Sequence, residues 1–279
     1  MYQAKNNGRN CFTFFTQALQ DAAQNRMRVA NELRSALSNN EFQLLYQPIV
    51  DLVTGETYKA EALIRWHHPD RGLVSPDAFI SIAEETGAIH DIGNWVFFEA
   101  AQQASKWQTK YAPHFQISIN KSPVQFQLDK DNHESWFDYL KKHGLAGESI
   151  IVEITEGLLL ESNESVQQQL EQFSVTGMQV SLDDFGTGFS SLAYLQKFDI
   201  DYLKIDKSFV QTLTPTSKNL ALCKAIIMMA HALDMKVIAE GIETEEQKTL
   251  LNSLHCDYGQ GYLFSKPIDA MAFEEMIEQ

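Results

Sequence analysis

Short apolar runs alternate along most of the chain with longer segments in which apolar residues recur at helical spacing. Eight of the short runs have the length and composition of β-strands: residues 42–46, 59–65, 115–120, 150–154, 179–182, 202–205, 236–239 and 256–259. Helical segments separate most of them. This alternation predicts an α/β fold, and more specifically a TIM-like (β/α)8 barrel rather than an open sheet.

The first connection breaks the alternation. Only DLVTGETY, with its Thr-Gly turn, separates the first two strands, and this segment is too short to contain a crossover helix. The two strands should therefore form a hairpin. We expect a barrel with one antiparallel strand.

The beginning of the chain follows another pattern. Residues 21–39 place Met27, Ala30, Leu33 and Leu37 on one helical face, which predicts a linker helix that packs on the body. Residues 1–20 have a basic, Gly- and Asn-containing centre followed by an aromatic pair, and they match nothing that follows. We therefore divide the chain into the end of another domain (1–20), a linker helix (21–40) and one large domain (41–279).

Composition narrows the possible partners. The chain has 279 residues, of which 44% are apolar, so it can bury a full core. Its 22 basic and 37 acidic residues give a net charge of −15, which argues against a broad surface for duplex DNA, RNA or anionic lipid. The three cysteines have no paired spacing, as expected of a cytoplasmic protein. The longest apolar stretch, residues 220–233, is too short and too interrupted to span a bilayer, so we expect no membrane contact.

Four of the predicted strands have an acidic residue where the apolar run ends: Glu61, Glu153, Asp183 and Glu240. The carboxyl ends of barrel strands meet at one face, so these side chains should converge. Asn120 closes another strand and Asp184 follows Asp183, which adds hard oxygen ligands of the kind that Mg²⁺ or Mn²⁺ accepts. Each acid alone could be a capping or loop-anchoring group. Together they predict a divalent-metal site.

Two basic residues accompany these acids. Lys204 lies inside the apolar strand YLKID, and if its side chain points inward it meets the acids. There it could orient a nucleophilic water and stabilise phosphoryl charge, or it could form a plain salt bridge. Arg65 shares a strand face with Leu63 and Glu61, and it could clamp a phosphate or pair with a structural acid.

Two further segments allow more than one reading. The glycines of DDFGTGFSSL permit a mobile lid or a phosphate cradle, although most such loops are only turns. The Met228–Met229 pair on a long helical segment is expected in the core.

Eight sequence blocks occur in order: YQPIVDL, EALIRW, ISINKSP, VEITEG, LDDFGTGFSSL, YLKIDKSFV, VIAEGIET and YGQGYLFSKP. From about Glu41 to the end of the chain they resemble the EAL-domain family, phosphodiesterases of the bacterial second messenger cyclic di-GMP. The opening MYQAKNNGRNCFTFF resembles the end of a GGDEF domain, the diguanylate cyclase family. The resemblance implies a longer natural protein with GGDEF and sensory domains, cytoplasmic in this part, with or without an inner-membrane anchor elsewhere.

The resemblance also implies residue roles. The metal ligands would be Glu61, Asn120, Glu153, Asp183 and Asp184, with Glu240 completing a centre for two Mg²⁺ or Mn²⁺ ions directly or through water. Lys204 would orient or activate the attacking water, and Gln260 would lie near the metal-bound water. Glu243 would hold the DDFGTG loop in its working conformation. Gln47, Arg65 and Leu63 would contact the substrate. Phe189, where tyrosine is frequent, is a mild change.

The implied reaction is hydrolysis of cyclic di-GMP to linear 5′-pGpG by two-metal activation of water, in a homodimer. A non-hydrolytic receptor that binds the dinucleotide and transmits a signal through the helix at residues 21–39 is the alternative. A third possibility is a metal-dependent barrel lyase, which would have no affinity for cyclic di-GMP. Retention of every acid and of Lys204 favours the enzyme.

Overall fold

The computed structural model of the chain describes residues 17–127, 131–160, 163–186 and 195–278. The chain divides into two compact units. The smaller comprises the residues up to Phe42 together with Trp66–Ala88, and the larger comprises Gln43–Arg65 together with the residues from Ile89 onward. The predicted domain end at residues 1–20 lies almost entirely outside the described residues.

Among the described residues, eight strands form a closed ring, and a ninth, β3, pairs outside it with the end of β2. The strands are β1 (Phe42–Asp51), β2 (Lys59–His68), β3 (Gly72–Val74), β4 (Gln116–Asn120), β5 (Ile150–Thr155), β6 (Gln179–Phe185), β7 (Tyr202–Ile205), β8 (Lys236–Ala239) and β9 (Tyr258–Gly259). Within the ring, β2 and the strands from β4 to β9 run parallel to their neighbours, whereas β1 is antiparallel to β9 and closes the ring against β2. The predicted TIM-like barrel with one antiparallel strand is confirmed.

Helices cover the outside of the strands in the larger unit. They are α3 (Ala88–Lys110), α4 (Asp131–His143), α5 (Glu156–Leu160), α6 (Glu164–Thr176), α7 (Lys207–Val210), α8 (Lys218–Ala232), α9 (Glu245–Ser253) and α10 (Ala270–Ile277). Aromatic side chains fill the space between helices and strands; Trp107 on α3, for example, stacks on Phe273 of α10 with ring centroids 4.6 Å apart. The expectation that Met228 lies in the core is wrong: its side chain is 63% exposed, because it projects from the outer face of α8.

The interior of the barrel is only partly apolar. Side chains alternate between the two faces of each strand, so every second residue points inward. One apolar layer contains Ile49, Ile151 and Ile238 together with Tyr202. Two residues beyond Tyr202 on the same face of β7 lies Lys204, towards the C-terminal ends of the parallel strands. The sheet therefore places polar groups at both ends of a thin apolar layer.

The smaller unit contains α1 (Gln17–Ala36), α2 (Ile80–Thr86) and β3. A helix, α1, covers much of the segment predicted as a linker helix, but it begins at Gln17 and ends at Ala36, and Asn40 adopts a left-handed conformation with φ 55°. Its role as a linker stays a prediction. Within the unit, α1 packs against α2 and buries Val29 and Leu33. No helix in the described ranges combines the length and the hydrophobicity that crossing a membrane would need.

Candidate active site

The sequence-predicted acids come together at the C-terminal end of the barrel strands. Asn120 is the last residue of β4, Glu153 and Asp183 lie near the ends of β5 and β6, and Glu240 directly follows β8. Glu61 differs from the expectation because it lies inside β2, which continues to His68 in order to pair with β3. Its inward orientation still brings it to Asn120, whose Nδ2 donates to Glu61 Oε1 at 2.8 Å.

Lys204 stands at the centre of these acids, with 1% of its side chain exposed. Its Nζ lies close to four carboxylates: Glu240 at 2.7 Å, Glu153 at 2.8 Å, Glu61 at 3.3 Å and Asp183 at 3.4 Å. Burial favours the neutral amine, but the surrounding carboxylates raise the pKa of Lys204 well above its ordinary value. The side chain is therefore an ammonium ion held by several acids.

The acids respond differently to this environment. Burial and the nearby Glu61 raise the pKa of Glu153 well above its usual value, and burial raises the pKa of Glu240 to about 7 despite Lys204. Burial also opposes ionisation of Glu61, but Lys204 and hydrogen bonds from Gln260 and Asn120 keep its pKa below the usual value. If all of these acids were ionised, the cluster would hold more negative charge than Lys204 balances.

A backbone irregularity brings Asp184 into the same cluster. Consecutive residues of a regular strand point to opposite faces. Here the register of β6 against β7 shifts between Leu182 and Phe185, and Asp184 adopts φ 55° in the left-handed region. Asp183, Asp184 and Glu240 consequently offer ligand atoms within 4.8 Å of one another.

The donor set fits divalent metal. Glu61, Glu153, Asp183, Asp184 and Glu240 carry five negative charges when ionised, and Lys204 offsets one, so the remaining four equal the charge of two divalent ions. Glu153 Oε1 is buried without a hydrogen-bond partner among the described residues. A buried carboxylate oxygen in that position calls for a cation. Hard oxygen donors of this kind suit Mg²⁺ or Mn²⁺.

A cavity of ≈ 270 Å³ adjoins the acids. Besides carboxylates of the cluster, four other residues predicted from the sequence line this cavity: Gln47, Leu63, Glu243 and Gln260. Gln260 Nε2 donates to Glu61 Oε2 at 2.7 Å and to Gln47 Oε1 at 3.1 Å, which ties the amides to the acidic cluster. Arg65 is partly buried and donates to the carbonyl oxygen of Ile64 at 2.8 Å, so its contact with substrate stays a prediction.

Several residues around this cavity were not identified from the sequence. Lys207, Gln211 and Tyr262 also line it. Lys207 comes three residues after Lys204 in YLKIDKSFV, and Tyr262 follows Gln260 in YGQGYLF. Their position beside residues already identified is the one signal that could have indicated them.

Gly186, the last described residue before the gap in the DDFGTG loop, is hydrogen-bonded to an acid that was not identified from the sequence. Gly186 N donates to Glu156 Oε2 at 3.4 Å, while Glu243 Oε1 accepts from Gln211 Nε2 at 3.5 Å. Gly186 has φ 97°, and a Cβ there would come within 2.9 Å of the Phe209 ring, so only glycine fits. Loop residues 187–194, including Phe189, lie outside the described residues, and the role of Glu243 in holding the loop stays a prediction.

Comparison with known proteins identifies the family. The EAL domain matches residues 30–267 of the chain. The chain belongs to the EAL-domain family. The motif that names the family is Glu61-Ala62-Leu63 on β2, where alternation turns Glu61 and Leu63 to the cavity while Ala62 is buried on the other face.

Two relatives of this EAL domain are considerably longer proteins. The oxygen sensor protein DosP of Escherichia coli (strain K12) is 39% identical over 267 residues, which are 95% of this chain and 33% of DosP. The cyclic di-GMP phosphodiesterase NbdA of Pseudomonas aeruginosa is 36% identical over 281 residues, which cover 99% of this chain and 35% of NbdA. The chain thus spans about a third of the length of these relatives.

A solved structure agrees with the fold of this EAL domain. The PaMucR phosphodiesterase in complex with c-di-GMP has a TM-score of 0.83 and 37% identity, and the match covers 88% of this chain and 99% of that one. The EAL resemblance deduced from the eight sequence blocks is confirmed.

Proposed function

We propose that this EAL domain hydrolyses cyclic di-GMP to linear 5′-pGpG and so lowers the level of this second messenger. The observation that carries the proposal is the contact of Lys204 with four carboxylates at the mouth of the barrel. The name of NbdA and the c-di-GMP complex of PaMucR support the choice of substrate.

Two Mg²⁺ or Mn²⁺ ions are the proposed cofactors. Their ligands would be Glu61, Asn120, Glu153, Asp183, Asp184 and Glu240. When bound, the ions would supply the positive charge that acidifies a water and stabilises the phosphoryl oxygens.

Side chains of the protein carry out the other parts of the proposed hydrolysis. The Lys204 ammonium keeps Glu153 and Glu240 in place, and its charge favours the hydroxide form of a water beside it. The water oxygen forms a bond to one phosphorus, the bond from that phosphorus to the 3′ oxygen breaks, and the 3′ oxygen takes up a proton. The acidic cluster accepts the proton that the water loses.

The adjoining cavity is the proposed substrate site. Gln47 and Gln260 present amides whose orientation is set by their mutual hydrogen bond and by Glu61. Leu63 supplies an apolar contact, and Lys207 adds a positive charge beside the acids. We propose that Arg65 contributes a further contact to phosphate.

Chromatographic detection of pGpG after incubation of the domain with cyclic di-GMP and Mg²⁺ tests the proposal. Lys204→Ala should keep binding of substrate but lower turnover by about 100-fold or more, the size of a lost charge-stabilising group. Lys236→Ala, which removes an exposed lysine, is the matched control and should retain turnover. Binding without product in the unaltered protein would favour the receptor instead. Loss of binding in Lys204→Ala would make Lys204 a substrate clamp.

We also infer that the domain forms a homodimer through the outer face of α8. Leu222 and Met228 on this helix are 47% and 63% exposed, and Ala221 and Ala225 on the same helix are exposed as well. Burial of this apolar surface against a second copy of the chain is favourable in water. We propose further that the full-length protein carries a GGDEF domain and a sensory region, in keeping with the greater length of DosP and NbdA.

A further inference from the structure

A second cavity, of ≈ 430 Å³, opens at the opposite end of the barrel from the acids. Its floor consists of the first residues of four parallel strands: Lys59, Gln116, Gln179 and Tyr202. The volume is in the range of pockets that hold small molecules. The proposed hydrolysis uses none of these residues.

Lys59 is the unusual group of this floor. It is 8% exposed, and among the described residues two acceptors hold its Nζ: Gln116 Oε1 and, at 3.0 Å, the Tyr202 hydroxyl. Both are neutral, so neither balances its charge, and burial lowers the pKa of Lys59 to about 8 although Asp201 and Asp51 partly oppose this. An ammonium has three donors, so one remains for an acceptor in the cavity.

The polar groups around Lys59 are fixed by one another. Gln116 Nε2 donates to Gln179 Oε1 and to the Glu148 carbonyl oxygen, both at 2.6 Å, and the Tyr202 hydroxyl donates to Gln179 Oε1 at 3.2 Å. The aromatic rings of Tyr202 and Tyr258 stand 5.0 and 5.2 Å from Lys59 Nζ. These contacts hold the Lys59 ammonium in one position, so Lys59 is a preorganised hydrogen-bond donor at the floor of the cavity.

The wall and the rim differ from the floor. Tyr58 and His114 form an edge-to-face pair with ring centroids 4.6 Å apart, and both residues line the cavity. At the rim, Glu56 and Glu148 are exposed, and both line the cavity. Carboxylates at the rim repel phosphate and accept hydrogen bonds from N–H groups. The cavity thus has a donor at its inner end, aromatic walls and acceptors at its mouth.

We propose that this cavity binds a neutral, planar heterocycle of the purine type, with ring acceptors facing Lys59 and N–H or amino donors facing the rim carboxylates. Guanine has this arrangement, because O6 and N7 accept on one edge while N1–H and the 2-amino group donate on the next. A nucleoside fits the rim charges better than a nucleotide does. The site would be separate from the acidic centre at the other end of the barrel.

Guanosine titrated calorimetrically into the Mg²⁺-containing protein tests the proposal. Lys59→Met and Tyr58→Ala should each weaken guanosine binding by about tenfold or more, the effect of losing a charged hydrogen bond or an aromatic wall. Leu63→Trp, which fills the cavity beside the acids, is the matched control and should leave this affinity unchanged. Circular dichroism establishes that each variant is folded; Tyr58 is only partly buried, so its truncation keeps the test available if Lys59→Met fails to fold.

The opposite pattern overturns the proposal. If Leu63→Trp abolishes guanosine binding and Tyr58→Ala does not, guanosine occupies the acidic end. The absence of saturable guanosine binding at millimolar concentration also rejects it. Guanosine 5′-monophosphate should bind several-fold more weakly than guanosine, since Glu56 and Glu148 repel its phosphate. Tighter binding of the monophosphate would contradict the assignment of a neutral ligand.

Discussion

Replacing Lys204 by methionine isolates the electrostatic role of the ammonium group that contacts the acidic cluster. Methionine keeps an unbranched side chain of similar length but removes the ammonium that lies 2.7–3.4 Å from four carboxylates. Breaking a buried ion pair by removing one partner costs about 3–5 kcal/mol. At about 2–4 °C per kcal/mol for a large domain, the metal-free variant should melt about 6–20 °C below the unaltered protein.

Divalent ions should reverse much of this loss. They supply the charge that the variant lacks, and any ion that binds only the folded state stabilises it by mass action. In millimolar Mg²⁺ the difference in melting temperature should therefore fall to less than half of its value in EDTA. Differential scanning calorimetry of both proteins under the two conditions measures this directly.

The matched control is Lys59→Met, because Lys59 is also buried in the barrel but has neutral hydrogen-bond partners. Its effect on the melting temperature should be the same in EDTA and in Mg²⁺. Equal losses for Lys204→Met under both conditions would refute the reasoning, and so would a Mg²⁺-dependent effect of Lys59→Met. The first result would mean that the acidic cluster does not take up metal in the folded protein. The second would mean that the effect of Mg²⁺ on stability is not specific to the acidic cluster.

Three further changes test other parts of the structure. Glu156→Gln weakens the hydrogen bond to Gly186 N, and turnover of cyclic di-GMP should fall about tenfold with substrate binding retained; unchanged turnover would separate the loop from catalysis. Burial opposes ionisation of Asp257, but hydrogen bonds from His231 and other donors lower the pKa of this carboxyl. The ionised carboxylate therefore stabilises the fold at pH values above the unfolded pKa of about 3.9, and this stabilisation is lost as the pH falls through the lower folded pKa. Asp257→Asn should thus lower the melting temperature at neutral pH and much less in acid; an equal loss at both would exclude the ionised carboxylate as its source. Met228→Glu should shift the protein from dimer to monomer in light scattering, whereas a monomeric unaltered protein would reject the α8 interface.

Local pattern was enough to predict the positions of the eight barrel strands, because parallel strands buried on both faces read as apolar runs bounded by polar turns. It also indicated Lys204, since a lysine within such a run must point either to solvent or to a counter-charge. The extension of β2 to His68 could not be foreseen, because it depends on the separate partner strand β3.

Other features of the site required the folded chain. The left-handed conformation of Asp184 follows from the register shift against β7, a contact between strands that no local signal encodes. The bond between Glu156 and Gly186 spans 30 residues. The exposure of Met228 was missed because an apolar helix face looks the same in sequence whether the core or a second molecule covers it.

The thin apolar layer inside the barrel has a consequence for how such a domain can change over generations. Aromatic contacts outside this layer join strands to helices and helices to one another, as the Tyr46–Trp107 and Trp107–Phe273 pairs do. In the proposed function Lys204 and the carboxylates around it serve catalysis, whereas well-packed apolar replacements of a complete ionic group are often neutral or stabilising. A descendant that exchanged the whole ionic group for apolar side chains would give up cleavage while keeping its architecture. Mutations that remove catalysis from this fold therefore need not destabilise it, so only selection for turnover would preserve the ionic group.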